Sequence, residues 1–130
     1  MIRVHKWQVD EKRRQLGELE VMRADLVRRR ETLRREIAAE QQGADAQVVQ
    51  FAFAAYVRDA LVRLETLASS IAEVDRAIEA MQDEIAEALR ELKKYEVAEA
   101  RSEARAGLEA ARRDQIATDE MALSMFRQQG

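Results

Sequence analysis

Residues 51–97 read FAFAAYVRDALVRLETLASSIAEVDRAIEAMQDEIAEALRELKKYEV, and their spacing decides the fold. Phe53, Val57, Ala60, Leu64, Leu67, Ile71, Val74, Ile78, Met81, Ile85, Ala88, Leu92 and Tyr95 follow one another in steps that alternate four and three. That seven-residue repeat is the seam of a left-handed coiled coil. Carried further in the same register it meets Glu99, Ser102, Ala106, Glu109 and Arg113, so the apolar seam stops at Tyr95.

A second, weaker repeat lies upstream: Ile2, Val9, Leu16, Leu19, Leu26, Leu33 and Ile37, with His5, Lys12, Arg23 and Arg30 filling the other seam positions. Long basic side chains can lay their stems along a seam while the head reaches water. Between the two repeats stands one real break, Gln41-Gln42-Gly43-Ala44-Asp45-Ala46. Gly43 is suited to the left-handed conformation that ends a helix, and Asp45 or a neighbour to capping the next one. Gly17 and Gly107 sit in helical stretches, where a lone Gly costs only about 1 kcal/mol against Ala.

The expected architecture is therefore one all-α domain over residues 1–130. It is an antiparallel two-helix coiled-coil hairpin with helix 1 near 3–41, a turn at 42–46 and helix 2 from 47 to about 126. Folding the chain at 43–46 makes the numbers of facing residues add to about 90. Ile37 then meets Phe53, Leu26 meets Leu64, Leu19 meets Ile71, and Ile2 reaches Ala88. The second helix loses its seam near the place where its partner runs out, as an antiparallel hairpin requires. Charge agrees: residues 1–41 carry 11 basic and 8 acidic groups, residues 42–130 carry 11 and 17, and complementary arms favour pairing with each other. Residues 96–130 are left as an overhanging helix of Ala, Arg and Glu with scattered apolar side chains (Leu108, Ile116, Met121, Leu123, Met125, Phe126).

Composition leads to the same class. Ala, Glu, Leu, Lys and Arg make up 73 of 130 residues, there is no Pro, and only six residues are aromatic. Such a chain is rich in helix formers and poor in the material of a compact core. Without Cys it has no disulfide framework or thiolate chemistry. Its longest apolar run, Phe51–Val57, is far short of the roughly 20 residues of a membrane span. No signal-peptide pattern opens the chain, and a net charge of −3 demands neither nucleic acid nor anionic lipid. The expected location is cytoplasmic.

No catalytic, cofactor or metal constellation is legible. His5 is the only His and occupies a seam position; the serines have no base beside them, the carboxylate pairs are those of any solvated helix, and no glycine-rich phosphate loop occurs. The basic run Arg28-Arg29-Arg30 with Arg34-Arg35 is interrupted by Glu31 and Glu36, which favours a salt-bridged face over a nucleic-acid surface. The aromatics are more telling. Phe53 belongs to the seam, but Phe51 and Tyr56 point to other faces near the turn, where they either wrap it or meet a partner. Trp7, beside Lys6 and Lys12-Arg13-Arg14, lies at the other end with Lys93-Lys94-Tyr95, and is likewise either packing or contact surface.

Taken together, Ile-Arg-Val-His-Lys-Trp-Gln-Val-Asp-Glu-Lys-Arg-Arg-Gln-Leu (2–16), the Phe51/Phe53/Tyr56 stretch, Glu-Leu-Lys-Lys-Tyr-Glu (91–96) and Arg-Arg-Asp-Gln-Ile-Ala-Thr-Asp-Glu-Met-Ala (112–122) resemble the flagellar type III export protein family FliJ, in the style of its alphaproteobacterial members. The resemblance implies an antiparallel coiled coil like the central stalk of rotary ATPases. It implies a non-enzymatic, monomeric component of the export apparatus, without cofactor, reaching the inner membrane at the flagellar base only through partners. Those partners would be the export ATPase hexamer, the membrane export gate and export chaperones. Carried onto this chain, the ring-facing end is Trp7, Arg13, Arg14, Lys93, Lys94 and the overhang; the gate-facing surface is Phe51, Phe53 and Tyr56. The chain is short for the family, with a compact turn and a brief first helix. A structural coiled coil that self-associates or bundles with a helical partner is the competing reading.

Overall fold

The computed structural model describes residues 1–43 and 47–129. Two helices account for almost all of them: α1, Ile2–Gln42, and α2, Gln47–Gln129, packed side by side as an all-α hairpin. α1 is 41 residues long and α2 is 83, so about half of α2 has no partner helix.

The seam runs where the sevenfold spacing places it. Val9, Leu33, Ala60, Ile71 and Val74 are buried, and every other apolar seam residue from Ile2 to Ile37 and from Phe53 to Tyr95 is half-buried. Partial burial is what two helices allow, since each side chain is covered from one side only. Beyond Glu96 every described residue is exposed. Gly17 and Gly107 interrupt nothing.

Two expectations need correction. Gly43 is not left-handed: φ is −92° and ψ −1°, and its N–H donates to the Glu40 carbonyl at 3.2 Å, so α1 closes in a tightened last turn without a conformation special to glycine. The expected cap at Asp45 lies outside the described residues.

The second correction is the register. His5 stacks on Tyr95 with ring centroids 4.4 Å apart, Lys12 pairs with Glu84 at 3.9 Å, and Arg23 pairs with Asp75 at 2.5 Å. The numbers of these facing residues add to between 96 and 100, one heptad beyond the expected 90. Leu26, not Leu19, therefore stands opposite Ile71. A seam with a seven-residue repeat is indifferent to a slide of seven, because every apolar position lands on another. The choice falls to contacts that do not repeat. At the expected offset Arg23 would face Leu67, and Tyr95 would lie past the end of α1. At the observed one, α1 runs out beside Tyr95 and Glu96, where the seam of α2 also ends.

Candidate partner-binding surfaces

At the terminal end, Trp7 is 64% exposed, and Arg13, Arg14, Lys93 and Lys94 are all exposed. They do not form one patch. Trp7 and Arg14, seven residues apart, share the face of α1 that points away from α2. Trp7 stands over a shallow hollow with Gln8, Glu11, Lys12 and Gln15. Lys93 and Lys94 follow Leu92 on the outer side of α2. The five residues are distributed around the rod.

Their charges are not equally available. Arg14 donates from Nε to Glu11 at 3.1 Å and also pairs with Glu18. The hydrogen bond from Arg14 holds the Glu11 carboxyl below the ordinary carboxylate range, and the same contact raises the guanidinium. Lys94 donates to Glu91 at 3.0 Å, which raises its ammonium. Of these four cations, Arg13 and Lys93 form no ion pair among the described residues. His5 packs: half-buried, it supports the seam through Tyr95.

At the turn end the three aromatics separate. Phe51 is 76% exposed, whereas Phe53 and Tyr56 are half-buried. The observed register sets the last residue of α1, Gln42, opposite residues 54–58, so Phe51 lies past the end of α1 while Tyr56 lies against it. Of the three, Phe51 is the free side chain. Two residues missed from sequence join it: Leu61 and Val62, 54% and 61% exposed. Phe51, Ala55 and Val62 recur at four and seven residues and so share the outer face of α2. The signal was present, since both Leu61 and Val62 are apolar at positions off the seam.

Between the ends the surface changes character. On α2 no large exposed hydrophobic side chain occurs from residue 63 to 88. On α1 the exposed pair Val21 and Met22 is set among ion pairs. Within the basic run, Arg28 and Arg29 pair with Asp25, and Arg35 with Glu31. Arg63–Asp59 and Arg90–Glu87 do the same on α2. This is the salt-bridged face expected of a solvated helix. Among the described residues no group of His, Asp or Glu is arranged to hold a metal ion, and no helix is long and apolar enough to cross a membrane.

Comparison with known proteins gives one answer. No curated protein and no solved structure matches the chain. The family model described as "Flagellar FliJ protein" matches residues 4–130, nearly every residue of both helices. The chain belongs to the flagellar FliJ family, and so to the components of the flagellar protein export apparatus.

Proposed function

We propose that this protein is a non-enzymatic stalk that couples the export ATPase ring, at its terminal end, to the membrane export gate, at its turn end, and that it assists export chaperones. The observation that carries this reading is the segregation of the exposed apolar side chains of α2. Phe51, Leu61 and Val62 cluster at one end, Leu89, Val97 and the overhang occupy the other, and a salt-bridged rod separates them. A coiled coil that only bundled along its length would show an apolar stripe through its middle.

In this reading Trp7, Arg13, Arg14, Lys93, Lys94 and the overhang face the ring. Their distribution around the rod suits a socket that encloses it. Phe51, with Phe53 and Tyr56 supporting it, faces the gate. The protein acts as a cytoplasmic monomer and meets the inner membrane only through the gate.

Truncation after residue 100 tests the ring-facing half. It removes only exposed residues, so melting of the hairpin should barely move, while stimulation of ATP hydrolysis by the purified export ATPase is lost. Full stimulation by the truncated chain would refute the assignment. Phe51→Ala with Leu61→Ala tests the other half: binding to the gate should weaken at unchanged helix content.

A further inference from the structure

Beyond Tyr95 the overhang is two-faced. At 100° per residue, Val97, Arg101, Arg105, Leu108, Arg112 and Ile116 fall within a sector of about 100°. All six are exposed, Leu108 at 72%. Arg101, Ala104, Arg105 and Leu108 line a hollow on this face. Glu96, Glu99, Glu103 and Asp114 lie in a narrower sector on the opposite side of the helix, the side on which α1 ends; there Glu96, Glu99 and Glu103 line a hollow with Ile2 and Lys6.

Along the rod, arginines 14, 23, 28, 29, 35, 63 and 90 each hold a carboxylate, and arginines 3, 13, 30, 34, 58 and 76 hold none among the described residues. Arg101, Arg105 and Arg112 hold none among the described residues. For Arg101 the cause lies in the sequence, because the residues three and four away are Val97, Ala98, Ala104 and Arg105. Glu109 stands at the margin of the stripe, and Asp119, further along, accepts from the Gln115 amide at 3.0 Å.

We infer that the back of the overhang, Val97 to Ile116, is a docking face for an acidic amphipathic helix of a partner protein. Its apolar residues enter the stripe, and its Asp and Glu side chains meet Arg101, Arg105 and Arg112. Complementary charge decides the occupant. Three apolar side chains across five turns are too few to hold the helix in a bilayer, and the guanidinium groups are spaced for carboxylates on a parallel or antiparallel helix. The partner approaches from the side of α2 away from α1, so it does not extend the existing seam. The inference rests on the overhang being a binding element, as proposed above, and names the chemistry of what it binds.

The test uses the full chain and two synthetic three-heptad helical peptides that share a Leu stripe, one flanked by Glu and the other by Lys. The Glu peptide should bind at least about tenfold more tightly, and Arg101→Glu/Arg105→Glu/Arg112→Glu should reverse the order. Leu108→Gln, with the arginines intact, should weaken both peptides. Equal binding of the two peptides, or a triple variant that keeps the original preference, overturns the inference. So does binding to phosphatidylglycerol vesicles that the Glu peptide fails to compete, or a dimer of the chain that the triple variant dissolves. The two proposals fail separately. Loss of ATPase stimulation on truncation with no peptide preference removes only the docking face; a clear peptide preference with stimulation unchanged by truncation removes only the ring assignment.

Discussion

Ile71 is 6% exposed in a rod whose seam is mostly half-buried, which makes it one of the few side chains with something to lose. Ile71→Ala should cost about 2–5 kcal/mol, towards the lower value because a two-helix seam can collapse around the gap. Ile71→Asp should go further and melt much of the hairpin, as it sets an unpaired charge among apolar groups. Circular dichroism of the two variants reads the difference; a stable Ile71→Asp hairpin would mean that this seam position is dispensable. The carboxylates respond to acid in a defined direction. The hydrogen bonds from Arg14 and Arg90 hold Glu11 and Glu87 below their ordinary value. A lowered folded-state pKa stabilises above the unfolded value and loses that contribution as pH falls through the folded one. Melting temperature should therefore decline as pH is taken below about 4.5, and Glu11→Gln with Glu87→Gln should flatten part of the decline. Glu87 is exposed and Glu11 only half-buried, so the effect is small.

Between the helices, what was legible and what was not divide cleanly. Each seam residue was readable because apolar side chains at alternating steps of four and three have one place to go on a paired helix. The register was not, because the repeat carries no mark to tell one heptad from the next. It is fixed by Tyr95 under His5 and by Asp75 under Arg23, contacts between residues 90 and 52 positions apart that no local pattern announces. Cysteines in this Cys-free chain test the outcome. Leu26→Cys with Ile71→Cys should form an intramolecular disulfide readily, and Leu19→Cys with Ile71→Cys slowly or not at all. The reverse order would restore the offset of 90. The exposure of the proposed contact residues was legible in outline only. Trp7 and Phe51 stand free as aromatics off the seam should, but Tyr56, next to the seam residue Val57, lies beside α1 at either offset and is half-buried. Leu61 and Val62 went unnoticed because aliphatic residues flanking a coiled-coil seam are common.

For the molecule as a whole, the paired rod of about 41 residues spans roughly 60 Å and the overhang adds roughly 50 Å. Its two apolar ends belong to different structural circumstances. At the turn end, α2 projects past a helix that has stopped; at the terminal end, it continues after its partner has not yet begun. The shift in register sets how much of α2 is committed to each. It leaves Phe51 uncovered at one end and brings Tyr95 under cover at the other.

The repeat that left the register unreadable also makes the rod's length a discrete quantity. Removing residues 19–25 together with 72–78 excises one complete heptad from each arm at facing positions, taking Arg23 and Asp75 away together. The remaining seam rejoins in phase, His5 still reaches the ring of Tyr95, and the distance between the two ends shortens by about 10 Å. Removing either segment alone leaves the seam continuous but slides one arm by a heptad and pulls His5 off Tyr95. The paired deletion should keep helix content and monomer size. If the protein works by bridging two sites at a fixed separation, it should still fail to support flagellar export, and restoring a heptad of unrelated coiled-coil sequence to both arms should repair it. Export that tolerates the shortened rod would mean that its ends act independently of the span between them.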